Sequence, residues 1–583
     1  MSITLEHAKE MQDKPAVVCC RTTKGTVLSS SDLEDPSLFA DLEESGLITL
    51  TAETLTIGEV LGATLTRDVD GLTALQADML DGVKAKAAPA AAPVAAPKAP
   101  APAILGVPAQ ACGGMIHIKA DSITGLELSI PTGAFAAMGG GVVAAPEAAP
   151  GRASVVVEDV VVGTLEKHHF KVTGAKIGKE TSFEGGVLTI REDLAAEALK
   201  NFPLLKKVEM DIITPDNRHV YSDTIMDVIP VATKVEGELG SGVTNCLDDL
   251  VFVLTGLDED GTQVHEFGSS DGYLDEEIIY GRPGCPDMHD IMVRVHVVLQ
   301  SKVGMERRGP FAAHGACDYI IQEVRNVLKK TPATAATSSE TLDNIMRKGR
   351  PRILLVKEIM GQGAMHDNYL LPSEPAGTVG ARANVDIGNV PIAININEVR
   401  DGAIHALCCI GPASKEMTRH YFREPLLETL AKDEELNLVG VVFIGSPQVN
   451  DEKTYVSKRL GAWAAMMDLD GAIVTTEGFG NNHIDFAANI AEIGVHGIPV
   501  VGCTFAAYQG QLIVGNKYMD ALVDLNKDSK GFESEKLGEN TLTHDDAKRA
   551  IAMLKNKLAG EAVKAPVSKW SQEVVDANQK LVG

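Results

Sequence analysis

The stretch 401–425, DGAIHALCCIGPASKEMTRHYFREP, places two adjacent thiols, Cys408 and Cys409, between a run of small residues and a Gly-Pro break. Cysteine often serves as a small hydrophobe, and core packing is the ordinary use of such a pair. The same residues also have a chemical use. A thiol beside a strained peptide attacks the carbonyl before it, so Cys409 would attack at Cys408. The N→S acyl shift gives a thioester, β-elimination leaves dehydroalanine, and hydrolysis yields a pyruvoyl group capping residues 409–583. Gly402, Ala403 and Ala406 supply small neighbours, Gly411-Pro412 supplies a turn, and His405, Arg419 and His420 lie close in sequence. Pro412 suits a helix start whose free N–H groups face back toward position 409. Many turns meet these requirements, so both readings stand at this point.

A second constellation is QGAMHDNYLLP (362–372), with His366, Asp367 and Tyr369 on a loop after an apolar strand. A His beside an Asp is material for a tuned acid or base, and a surface turn explains it equally well. The Gly- and Asn-rich TTEGFGNNHID (475–485), with Glu477 and Asn481, could hold a carboxylate or phosphate on backbone N–H groups. It has neither the GxGxxG nor the GxxxxGK[ST] spacing, which disfavours a nucleotide. Cys285, His289 and His296, and the pair His168-His169, make no four-ligand spacing, so no metal is expected. Cys246 in NCLDDL is a rival thiol for processing but lacks a following helix start.

The elements that position these residues are clearest toward the C-terminus. RILLVKEI (352–359), LVGVVFIG (438–445), GAIVTTEG (471–478) and IPVVGCTF (498–505) are short, apolar and β-branched, with helix-length segments between them. That alternation predicts a doubly wound, mostly parallel sheet, with ligand loops at 445–451, 475–485 and 503–510 beyond the strands' carboxyl ends. The expected fold is therefore α/β and α+β multidomain. Its parts are a small N-terminal unit (1–83, with a strand at 16–20), an Ala/Pro-rich linker (84–110) and a short β-hairpin-like module with a Gly/Ala/Pro linker (111–150). A β-rich mixed domain (151–340, with one helix at 313–330) and an α/β domain (341–583) containing the candidate cleavage site follow.

With 583 residues the chain is too long for one ordinary core. Its formal charge of −27 argues against nucleic acid or anionic membrane as the main partner. No run approaches a membrane span, and the N-terminus has neither the apolar core nor the cleavage site of a secretory signal. The nine scattered cysteines form no disulfide framework, so a reducing cytoplasm is expected.

The run from GRPRILLVKEIMGQGAMHDNY through NEVRDGAIHALCC to NLVGVVFIG and DGAIVTTEGFGN resembles the pyruvoyl-dependent glycine/sarcosine/betaine/D-proline reductases of amino-acid-fermenting anaerobes. Upstream, GGVLTIREDL and MDVIPVATKVEG extend the resemblance, which covers residues 153–520. The extension 1–150 and the double cysteine resemble the D-proline branch. The resemblance implies a pyruvoyl group derived from Cys409, which lies five residues after the DGAI tetrapeptide, with Cys408 before the cleaved bond. It implies condensation of D-proline to an iminium and reductive ring opening to 5-aminopentanoate. The reducing nucleophile would come from a small selenocysteine-containing subunit, supplied through an electron-transfer protein.

On that reading Arg400, Arg419 and Arg423 are candidates for the substrate carboxylate, with Tyr369, Glu477 and Asn481 as further substrate contacts. His366, Asp367 and His420 are the candidate acid/base groups, and a homo-oligomer of the processed chains is expected. The alternatives are a component B subunit of a glycine, sarcosine or betaine reductase, or a non-catalytic paralogue that scaffolds the complex. An unrelated ligand-binding α/β protein with two buried thiols is the third.

Overall fold

The computed structural model describes most of residues 5–83, two strands within 115–131, and residues 159–582 with several internal gaps. Among the gaps, residues 360–367, 407–416 and 477–480 lie outside the described set, and with them His366, Asp367, Cys408, Cys409 and Glu477. Residues 1–86 and 157–583 form one compact unit and residues 87–156 another.

In the smaller unit, Met115–Lys119 pairs antiparallel with Glu127–Pro131, within the stretch 111–150 expected to hold a hairpin-like module. Near the N-terminus, Val17 bridges Ala74 while its neighbour Val18 bridges Leu33. Successive residues therefore pair with different segments, and the described part of the expected 16–20 strand is a set of single bridges.

Two four-stranded mixed sheets follow. In one the order is Ile225–Ile229, Leu250–Asp258, Ile291–Leu299, Leu205–Ile213, with the central pair parallel and the flanks antiparallel. In the other it is Ala232–Glu236, Gly242–Asp248, Val160–Lys171, Ser338–Met346. The helix Arg308–Leu328 seals the first sheet: Ala313, Ala316, Cys317, Ile320, Ile321 and Val324 recur at helical spacing and pack with Phe252, Val293 and Val295. It starts five residues before the expected 313 and stops short of Thr331-Pro332, where proline disfavours helical geometry in the residue before it.

The C-terminal sheet has six strands, in the order Ile392–Ile394, Asn437–Gly445, Arg352–Ile359, Gly471–Thr476, Val500–Thr504, Leu522–Asp524. All neighbours are parallel except the edge strand Ile392–Ile394. Side chains alternate between the two faces of a strand. Leu354, Val356, Ala472 and Val474 enter one core with the helices Asn450–Met466 and Asn481–Gly494. Ile353, Leu355, Ile473 and Val501 enter another with Pro425–Lys432 and His544–Leu558. Burial on both sides is why these strands read as unbroken apolar runs. No described helix is long and apolar enough to cross a membrane.

Candidate active site

The DGAI tetrapeptide closes a short helix and leads into the strand that precedes the two cysteines in sequence. The short helix Ile396–Arg400 is capped at its start by Asn395, whose side chain accepts from the Asn397 N–H at 2.8 Å. At its end Gly402 adopts φ +87°, a conformation glycine enters without a Cβ penalty. The Gly402 N–H bonds the Val399 carbonyl at 3.0 Å and the Ala403 N–H bonds the Glu398 carbonyl at 3.0 Å, the paired closure of a Schellman motif. Asp401 turns its fully buried carboxylate into the β-rich part. There it accepts from the Gly240 N–H at 2.8 Å and from Thr244 Oγ1, and it pairs with Lys234 Nζ.

From this turn the strand Ile404–Ala406 runs, wholly buried, up to residue 407. It pairs antiparallel with Asn368–Leu370, setting Tyr369 opposite His405 and Asn368 opposite Ala406. The stretch expected as a loop at 362–372 therefore contains a strand, Asn368–Leu370, paired with Ile404–Ala406.

Beyond the cysteine segment in sequence comes the helix Thr418–Phe422. Thr418 ties the two ends together. Its hydroxyl accepts from the Ala406 N–H at 3.0 Å and donates to Asp227 Oδ2 at 2.7 Å, while its own N–H donates to Asp227 Oδ1 at 3.0 Å. Asp227 Oδ1 also accepts from the Val228 N–H at 2.8 Å. Burial pushes the Asp227 carboxyl up to about 7 against those lowering hydrogen bonds. Beside it, His314 Nδ1 lies 3.6 Å from Asp227 Oδ2 and 3.2 Å from His405 Nε2. Burial holds His314 well below the ordinary imidazole range.

His405 was accessible from sequence because it precedes Cys408 by three positions. Asp227 and His314 were not, since they come from a distant strand and helix. A signal for Asp227 existed: it is an acid inside the apolar run TIMDVIPVA, where a lone carboxylate needs a reason.

The three arginines do not converge on one open cleft. Arg400 donates to Glu428 Oε1 at 2.8 Å and to Asn397 Oδ1 at 3.2 Å. Arg419 pairs with Asp290 and with Asp287 at 3.0 Å, and donates to the Cys285 carbonyl at 3.0 Å. Arg423 shares Asp287 at 2.8 Å and donates to the carbonyls of Arg282, Pro283 and Cys285. These bonds fasten the 282–290 segment to the Thr418–Phe422 helix. His420 is fully buried, with Nε2 3.8 Å from Glu424 Oε1, which Lys357 Nζ also reaches at 3.1 Å. Asn481 begins the helix after the Gly471–Thr476 strand.

The sheet's carboxyl end carries a second polar group of residues. Glu358 accepts from Thr476 Oγ1 at 3.0 Å and from Asn489 Nδ2 at 2.9 Å, and Asp485 pairs with Lys453 and accepts from Ser446 Oγ. Burial first, then the Asp485 charge, holds Glu358 well above the usual carboxylate range. Of the sequence's metal-like sets, Cys285, His289 and His296 separate: Cys285 packs in the main core, His289 pairs with Asp249 at 3.0 Å and His296 contacts Thr255 at 3.0 Å.

Comparison with known proteins places the chain among amino-acid reductase subunits. The family model for glycine/sarcosine/betaine reductase component B subunits matches residues 164–535. The chain is 49% identical, over its whole length and 95% of the relative's, to the D-proline reductase proprotein PrdA of Acetoanaerobium sticklandii. It is 25% identical, over 62% of its length and 84% of the relative's, to the glycine reductase complex component B subunits alpha and beta of Peptoclostridium acidaminophilum. With the sarcosine reductase complex component B subunit alpha of Peptoclostridium acidaminophilum it shares 23% identity over 58% of its length and 78% of the relative's. No solved structure matches it.

Proposed function

The chain belongs to the family of glycine/sarcosine/betaine reductase component B subunits, and on that premise we propose that it is the proprotein of a D-proline reductase. In this reading Cys409 cleaves its own peptide bond to Cys408, and residues 409–583 become a chain capped by pyruvoyl. The observation that carries it is the Thr418 clamp. One hydroxyl joins the N–H of Ala406 to Asp227, so the residues on either side of the segment holding both cysteines are tied together by buried polar groups. A segment whose ends are fixed this way can hold a peptide off its relaxed geometry, as an acyl shift requires.

The reading puts a small uncharged cap at residue 409. Ala403, Ile404, His405 and Ala406, which lead to the cysteine pair in sequence, are almost fully buried, an environment suited to an uncharged group. When present, that group supplies an electrophilic carbonyl to the ring amine of D-proline and draws electrons from the α carbon. His420 beside Glu424, and His366 with Asp367, are proposed to move the proton, and Tyr369, Glu477 and Asn481 to contact the substrate. A substrate carboxylate at Arg400, Arg419 or Arg423 would displace an internal acid, since each is already paired. The electrons are proposed to come from a selenocysteine-containing partner subunit served by an electron-transfer protein. The working form is proposed to be a homo-oligomer of processed chains in the cytoplasm.

Denaturing electrophoresis tests this. The purified protein should give two fragments, the smaller one blocked to N-terminal sequencing and reactive with carbonyl reagents. Cys409→Ala should give one full-length band, whereas Cys408→Ala should still be cut. A single band from the unaltered chain would favour the scaffold reading. Turnover of D-proline against glycine, with the selenoprotein subunit present, then decides between the reductase types.

A further inference from the structure

We propose that Asp227, His314 and His405 form a binding site for one divalent transition-metal ion, of the zinc or iron(II) class, beside the strand that leads to the cysteine pair. The three come from separate rigid elements: the strand Ile225–Ile229, the helix Arg308–Leu328 and the strand Ile404–Ala406. Their ligand atoms lie within 4.8 Å of one another, and all three residues are buried. The separations of 3.2 Å between His314 Nδ1 and His405 Nε2 and 3.6 Å between His314 Nδ1 and Asp227 Oδ2 bear on the fit. Ligands at zinc distances in a tetrahedron stand roughly 3.4 Å apart, between those two values. Two imidazoles and one carboxylate are a donor set suited to these ions, with positions left for water or substrate.

Charge supports the same reading. Asp227 is fully buried, and among the described residues no Lys or Arg pairs with it. A buried carboxylate normally has a cationic partner or a metal. His314 turns its Nδ1 to Asp227 and His405, and its Nε2 makes no hydrogen bond among the described residues. The ring is therefore oriented by what Nδ1 engages. The sequence hid this set because His314 and His405 are 91 positions apart, far outside any short ligand spacing.

The test is elemental analysis of the full chain, purified without a histidine tag and dialysed against a weak chelator. About one equivalent of zinc or iron per chain is expected, falling at least tenfold in Asp227→Asn and His314→Gln. Because either variant could fold poorly, the unaltered protein is also stripped and titrated with Co²⁺. A saturable visible absorption at one equivalent is expected, displaced by Zn²⁺. Protein that carries no metal and takes up neither ion overturns the site, as does full metal content in both variants. Metal content is read without turnover, so it stands or falls separately from the cleavage reading.

Discussion

Thr418 does more than its size suggests, because one hydroxyl both accepts from Ala406 and donates to Asp227. Thr418→Val keeps the shape and removes both bonds, leaving a buried N–H and a carboxylate oxygen short of a partner. Chemical denaturation should show a loss of about 1–3 kcal/mol, and the time course of fragment formation should slow. Thr418→Ser should restore both. Processing at the native rate in the valine variant would separate the clamp from the chemistry. Neighbours in sequence were legible: Cys409, its small neighbours and His405 lie within one short stretch. Groups brought in from afar were not. The partners of the candidate arginines, Glu428, Asp287 and Asp290, stand 28, 132 and 129 positions from the residues they pair with, and no spacing rule finds them.

Among the elements, the parallel strands were the most legible, since burial on both faces leaves an unbroken apolar run of strand length between turn residues. The 368–370 strand was hidden because its three residues, Asn368, Tyr369 and Leu370, show no period long enough to read. Pairing between Val160–Lys171 and Ser338–Met346 carries a titratable link: His169 Nδ1 meets Asp248 at 2.9 Å and Nε2 meets Glu340 at 3.3 Å. Hydrogen bonds to Asp248 and then Glu340 raise its pKa from 6.5 to about 9. A raised folded-state value means the contribution is complete below pH 6.5 and lost as pH climbs through 9. Glu340, lowered from 4.5 mainly by the same histidine, contributes above that value and loses it in acid. Denaturation midpoints should therefore fall between pH 6.5 and 9, and His169→Asn should flatten that decline. An unchanged slope in the variant would assign the pH dependence elsewhere.

Across the whole molecule, two distant motifs meet. MDVIPVATKVEG supplies Asp227 to the Thr418 clamp and Lys234 to Asp401 of the DGAI turn. Lys234 is 8% and Asp401 0% exposed, so neither charge has water to fall back on. Lys234→Met should cost about 3–5 kcal/mol by stranding the carboxylate, and adding Asp401→Asn should recover part of it. A double-variant loss equal to the sum of the two single losses, measured by urea titration, would mean the pair is not coupled.

The order of strands in the six-stranded sheet has its own outcome. Arg352–Ile359 comes before residue 409 in the chain, yet it lies between Asn437–Gly445 and Gly471–Thr476, which come after. A cut at that bond would thus divide a single ladder between two polypeptides, one contributing the middle rung and the other the rungs beside it. Pulled apart, both would bare rows of unmet amide and carbonyl groups. Maturation would sever the backbone while the sheet pairing held the two halves together.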